Sequence, residues 1–217
     1  MKARPPTPFD WTEGDHGRRR RAFLEMSVDG SVAGRVEVEL ATDVLPMTCE
    51  NFLRLCRGDG QPPEAGKGEA LGYAGTKVHA CPWTGQHGRA RYACLTCGLF
   101  RPLMHRVVKG MGVMLGDVEG QDGAASHSSF GARFFHDEAF LIPHATQGLV
   151  SMASSGVHRN GSQFLITLEP APQLDGRCVA FGRVTSGLDV VRHLYGLYSM
   201  RGRPVSDIRV QTCGQMS

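Results

Sequence analysis

"GVHRNGSQFLITL", residues 156–168, passes from turn-forming and polar residues into an apolar run without a break. In a strand alternate side chains share a face. Gln163, Leu165 and Thr167 therefore fall on one side, and Phe164, Ile166 and Leu168 on the other. Large hydrophobes on both sides imply a strand covered on both. The glutamine at its head then needs a hydrogen-bonding partner or a ligand, because an amide buried without one costs about 1–3 kcal/mol. The alternative is a glutamine that ties down a loop.

Outward from this run the chain reads as short strands and two helices. Residues 22–40 alternate on either side of Asp29-Gly30, which predicts a hairpin. In "LPMTCENFLRLCRG" (45–58) the period changes. Cys49, Phe52, Leu53 and Cys56 recur at helical spacing, Pro46 suits the first turn and Gly58 the exit. Cys49 and Cys56 are then core residues. Residues 58–74 and 116–131 read as loops, the second a long surface loop. "MHRVV" (104–108), "GLVSMAS", "SQFLITL", "CVAFGRV" and "VSDIRVQTCG" read as strands, and "GLDVVRHLYGLY" as a helix. There is no internal repeat. Many short strands with two helices point to a mainly β fold, a closed barrel with helices covering its ends.

Composition narrows the function. The chain has 217 residues and a formal charge of +3. Residues 1–21 carry Lys2, Arg4 and Arg18 to Arg21 against Asp10, Glu13 and Asp15, so the excess charge sits there and the remainder is formally neutral. Residues 1–21 are expected to be a disordered basic tail rather than a nuclear-import patch, and 22–217 one domain. A neutral body argues against a nucleic-acid partner. No apolar run is long enough for a membrane span, and no apolar stretch near the N-terminus resembles a secretory signal. Seven cysteines make a poor disulfide framework. The expected setting is the cytoplasm, with the nucleus as the alternative, and the expected state is a monomer.

"NGSQFLIT", "LDGRCVAFGRV", "HRVVKG", "FFHDEAF" and "DGSVAGRVEVEL…LPMTCENF" together resemble the cyclophilins, from about Phe23 to Gly214 and with the blocks in family order. The resemblance implies an eight-stranded antiparallel barrel capped by two α-helices. It also implies cis–trans isomerisation of peptide bonds preceding proline, with proline-containing peptides and protein clients as partners. No cofactor or metal is implied. By the same resemblance Arg106 is the catalytic arginine, Gln163 binds substrate backbone, and Ala153 and Ser154 pair with the peptide as an added strand. Met111, Leu165 and Leu174 line the proline pocket.

Several of these positions depart from the family pattern. Met111 and Leu165 replace aromatic walls, Gly112 replaces a methionine, and Met114 replaces the glutamine that braces the arginine. Ser154 stands for an asparagine. Gln173 stands for a tryptophan prominent in cyclosporin binding, and Cys178 for a histidine. Weak isomerase activity and poor cyclosporin affinity are the expectations.

Removing residues 80–105 would give "GYAGTKVHRVVKG", an unbroken family-like stretch. Residues from about 80 to 105 therefore read as an irregular insertion ahead of Arg106, or as a segment such as a retained intron. Within it Cys94-Leu95-Thr96-Cys97 has the spacing of a zinc knuckle. The remaining half-site, His79 with Cys81, is irregular, and incidental cysteines are the expectation. A hydrolase reading finds Ser162, His105 and Asp175 but no nucleophile elbow around a serine.

Overall fold

In a computed structural model of the chain, residues 9–12, 19–62, 70–77, 79–81, 111–118, 126–154, 156–197 and 206–217 are described, with 79–81 described by backbone alone. The hairpin forms where alternation and the Asp-Gly pair require it. Strands β1 (Arg21–Val28) and β2 (Ser31–Leu40) pair antiparallel, with Val28 opposite Ser31. Asp29 and Gly30 take φ of 50° and 80°, the left-handed pair of a two-residue hairpin turn. Helix α1 spans Pro46–Arg57 and ends at Gly58, whose φ is 73°. There the Asp59 amide donates to the Arg54 carbonyl and satisfies one of the helix's last acceptors. Cys49 and Cys56 are buried in the core.

Six further strands complete one sheet: β3 (His79–Cys81), β4 (Gly112–Leu115), β5 (Leu149–Met152), β6 (Phe164–Thr167), β7 (Ala180–Ser186) and β8 (Ile208–Met216). Helix α2 covers Leu188–Gly196. The strand order is β3-β4-β6-β5-β7-β2-β1-β8, with every neighbouring pair antiparallel. The sheet curls around an aromatic nucleus in which Phe52 of α1 meets Tyr73, Phe164 and Phe181 with ring centroids 5.1 to 5.4 Å apart.

A mainly β, antiparallel sheet with two helices agrees with the sequence reading. However, β3 and β4 are not among the strands read there, "MHRVV" lies outside the described residues, and the described sheet does not close by a full ladder. Among the described residues, β3 and β8 are joined only through the residues ahead of β3. The Gly75 amide donates to Val210 O at 2.7 Å, the Val210 amide donates to Thr76 O at 2.9 Å, and Lys77 bridges to Arg209.

Two loops pack more tightly than their composition implies. Within the stretch read as a disordered tail, residues 9–12 and 19–21 lie on the body. Arg19 is only 8% exposed, donating to Asp43 at 2.9 Å and to the Trp11 carbonyl at 2.6 Å. The Trp11 ring lies under both Arg19 and Arg183, with each guanidinium carbon within 5.4 Å of its centroid. Stacking on an aromatic face and a carboxylate partner together offset the burial of the Arg19 charge. Similarly, the serine-rich end of the loop read as surface is interior: Ser128 and Ser129 are buried.

Candidate functional site

The alternation of the opening run sorts its side chains into two apolar groups. Phe164 and Ile166 enter the main core. Leu165 points the other way, into a second cluster with Met111, Met114, Ala171, Leu174 and Cys178, and Ala153 packs at its edge. Met114 and Leu165 are cross-strand partners on β4 and β6. Leu174 ends a short 3-10 segment, Pro172–Leu174, and Cys178 lies in the turn that follows, its amide donating to the Leu174 carbonyl at 3.0 Å. Every member is 5% exposed or less. Gln173 is half-buried at the rim, and its amide donates to the Met111 sulfur at 3.5 Å. Burial raises the Cys178 thiol to about 12, although the hydrogen-bonded Ser154 backbone pulls it down; it is a neutral wall at physiological pH.

The turn residues ahead of the strand are held from several sides. Asn51 on α1 donates to Gly161 O at 2.9 Å and accepts from the Ser129 amide at 2.7 Å. The Tyr73 hydroxyl donates to Ser162 O at 2.7 Å. Ser126 Oγ accepts from the amides of Ser162 and Gln163 at 3.0 and 3.2 Å. Ser126 also explains the glycine: a Cβ on Gly161 would overlap that hydroxyl oxygen. Gln163 is 2% exposed, and its carbonyl accepts from the Ala153 amide at 3.0 Å. Ser154 Oγ donates to the Gly156 carbonyl and accepts from the Gly156 amide at 3.3 Å. Gln163, Ala153 and Ser154 thus stand side by side beside the apolar cluster.

His144 is a residue that local patterns did not single out. Fully buried, it contacts Asp175 Oδ1 through Nδ1 at 2.8 Å and Ser151 Oγ through Nε2 at 2.9 Å, and its amide donates to the same Asp175 oxygen at 2.7 Å. Burial lowers its pKa, against the pull of Asp175. The neutral ring, donating from Nδ1 and accepting at Nε2, satisfies both partners. The order of contacts is that of a hydrolytic triad, but Ser151 is fully buried within strand β5 and is not open to a substrate. Its effect is to brace the site. The His144 carbonyl accepts from the Ala171 amide at 2.8 Å, and Ser151 is the β5 partner of Leu165.

Strand β3 fills the edge beside β4 with His79 opposite Met114, Ala80 opposite Val113 and Cys81 opposite Gly112. If residues 80–105 were absent, Arg106 would follow His79 and take the register opposite Val113. Ala80 holds that register here. Arg106 and the "MHRVV" strand lie outside the described residues, as do His105, Cys94 and Cys97.

A barrel-like antiparallel sheet with two helices, carrying an apolar cluster beside a buried glutamine, is what the resemblance implied. Residues 23–215 match the family model described as cyclophilin type peptidyl-prolyl cis-trans isomerase/CLD. The chain belongs to the cyclophilins. It is 36% identical to peptidyl-prolyl cis-trans isomerase D of Eremothecium gossypii over 196 residues, which cover 90% of this chain and 46% of that protein. The chain therefore spans about half the length of the curated relative it matches.

Within this cyclophilin, Met111, Met114, Leu165, Leu174 and Cys178 form one buried set, and Gln163, Ala153, Ser154 and Gln173 adjoin it. Gly112 has a local cause. A Cβ there would overlap the Ile166 carbonyl oxygen across the β4–β6 ladder, so the departure from the family methionine goes with the tight approach of these two strands.

Proposed function

We propose that this chain is a peptidyl-prolyl cis–trans isomerase domain acting on Xaa-Pro bonds in exposed segments of client proteins, with activity below that of a cyclophilin whose pocket is aromatic. The observation that carries this reading is the apolar cluster of Met111, Leu165 and Leu174, bordered by Gln163 and Ala153. The barrier to rotation is about 20 kcal/mol because the amide nitrogen's lone pair is delocalised into the carbonyl. No covalent bond breaks, so catalysis consists of binding the half-rotated form more tightly than either planar form.

The cluster would seat the proline ring and Gln163 would hold substrate backbone. Arg106 would donate to the prolyl nitrogen as it pyramidalises, a role that suits a permanently charged fork of N–H donors. Met111 and Leu165 present no flat ring face, and Met114 cannot accept a hydrogen bond of the strength a glutamine offers a guanidinium. Orientation supplies much of a site's effect, so turnover about one to three decades below an aromatic-pocket cyclophilin is expected. Gln173 in place of tryptophan accounts for an expected poor affinity for cyclosporin.

A second reading, a peptide-binding scaffold with little turnover, is favoured by one observation: Ala80 occupies the register that the uninterrupted sequence would give to Arg106. A protease-coupled assay on Xaa-Pro peptides decides between them. Under the isomerase reading Arg106→Ala abolishes turnover and leaves peptide binding largely intact. Under the scaffold reading the full chain turns over at the uncatalysed rate, and deleting 80–105 raises the rate by joining His79 to Arg106.

A further inference from the structure

Phe134 is half-buried, and two guanidiniums lie over it: Arg159 Cζ is 4.7 Å and Arg133 Cζ 5.3 Å from the ring centroid. Both arginines are exposed. Arg19, Arg54, Arg57, Arg183 and Arg209 each hold a carboxylate. Among the described residues Arg133 and Arg159 hold none. The acid of the adjoining loop, Asp137, accepts from the His158 backbone amide and from the Asn160 side-chain amide, each at 2.8 Å. Two cations without a carboxylate partner lie against one ring, and a bound anion within reach of both lowers their electrostatic energy. Stacking also holds each guanidinium plane while leaving its N–H edge open for a forked contact.

This pair stands at the end of the proposed peptide groove. A Cβ on Gly156 would lie 3.4 Å from Arg159 Cδ. Gly156 is bonded to Ser154, next to Ala153 at the edge of the apolar cluster. On the other side, Phe134 precedes Phe135, whose amide donates to Asn160 O at 2.9 Å. An extended peptide advances about 3.3 Å per residue, so a chain paired beside Ala153 and Ser154 reaches the arginines within a few residues of its proline.

We propose that Arg133 and Arg159, stacked on Phe134, form an anion-binding subsite that selects substrates carrying a carboxylate or phosphate side chain two to four residues from the proline, on one side of it. The proposal rests on the isomerase reading for the direction of the groove. It makes this domain selective for acidic or phosphorylated proline segments.

The test uses the full chain and a dye-labelled Ala-Pro host peptide with Glu, Gln or phosphoserine placed two, three or four residues before or after the proline. Binding is read by fluorescence anisotropy at low and moderate salt, and turnover in parallel. The Glu peptide is expected to bind about three- to tenfold more tightly than its Gln counterpart at one or two positions on one side, with the gain shrinking as salt rises. Phosphoserine exceeding Glu assigns the subsite to phosphate; equal gains assign it to carboxylates.

In Arg133→Gln/Arg159→Gln the Glu-to-Gln ratio falls to about one. In Arg133→Glu/Arg159→Glu a lysine peptide is preferred instead. The absence of an acid preference at any position, or a preference that survives the Gln variant, overturns the subsite. Acid preference without turnover leaves the subsite standing and removes the isomerase reading. Turnover of the Gln peptides without acid preference does the reverse, and failure of every peptide to bind sinks both.

Discussion

Met111 and Met114 each bring a flexible thioether to a place where a ring or an amide would hold its neighbours more firmly. Methionine fills irregular space well and specifies geometry poorly. Introducing the ring and the amide with Met111→Phe and Met114→Gln is expected to raise kcat/KM about tenfold, corresponding to about 1.4 kcal/mol of transition-state binding; an unchanged value would show that these two residues do not limit turnover. The third departure does not revert in the same way. Gly112→Met drives a side chain into the Ile166 carbonyl, and the expected result is a loss of about 3 kcal/mol or more in denaturant unfolding. Met111, Met114, Leu165, Leu174 and Cys178 were legible because each sits in or beside a block that resembles the family, whereas Ala171 was not singled out. His144 was not, since its partner Asp175 lies 31 positions away and neither residue's neighbourhood marks the other.

The elements around the site are tied to it by single polar residues. Asn51 joins helix α1 to Gly161 and to Ser129 from a fully buried position. Asn51→Ala strands one donor and one acceptor in the interior, and should cost about 2–3 kcal/mol, seen as a lower urea midpoint with an unchanged slope. His144 makes the link between β5 and the 171–178 turn dependent on pH. Its folded pKa lies below the ordinary 6.5. As pH falls through 6.5 the unfolded chain takes up a proton that the folded chain resists. The stability from this site is therefore complete above 6.5 and is lost as pH drops through the folded value. Wild type should lose more stability between pH 7.5 and 5.5 than His144→Gln does, and parallel losses would show that another group carries the effect. Helix α1 and the first hairpin were readable from spacing and caps, which are local. The burial of Ser128 and Ser129 was not, because the 126–129 loop is held by Asn51 and Ser162 from distant parts of the chain.

Across the whole molecule the sheet is unequally secured. The β1–β2 and β1–β8 ladders are continuous along their length apart from one register shift each. The seam between the ends holds through Gly75, Thr76 and Lys77 against Val210 and Arg209, helped by an Arg209 side chain that donates to Gly75 O at 3.1 Å. Hydrogen exchange should find the Gly75 and Val210 amides opening ahead of the interior amides of β1 and β2, and Arg209→Ala should widen the gap. Slow exchange at Gly75 equal to that of the β1–β2 ladder would mean the barrel is sealed as firmly there as elsewhere. The two helices and β1, β2, β5, β6, β7 and β8 were evident from alternation and period, whereas β3 and β4 were not, because each is short and neither alternates. How the last edge closes was not, since it rests on a few backbone bonds between residues of ordinary composition.

The pairing of Cys81 with Gly112 means that residues 82–111 depart from and return to neighbouring points of one hairpin edge. For a freely flexible chain, widening a tight turn to that length costs only about 2 kcal/mol of closure entropy. The β3–β4 ladder therefore tolerates a change in the number of residues joining its two strands at little energetic cost. At such an edge the pairing of two strands and the length of chain between them are set independently.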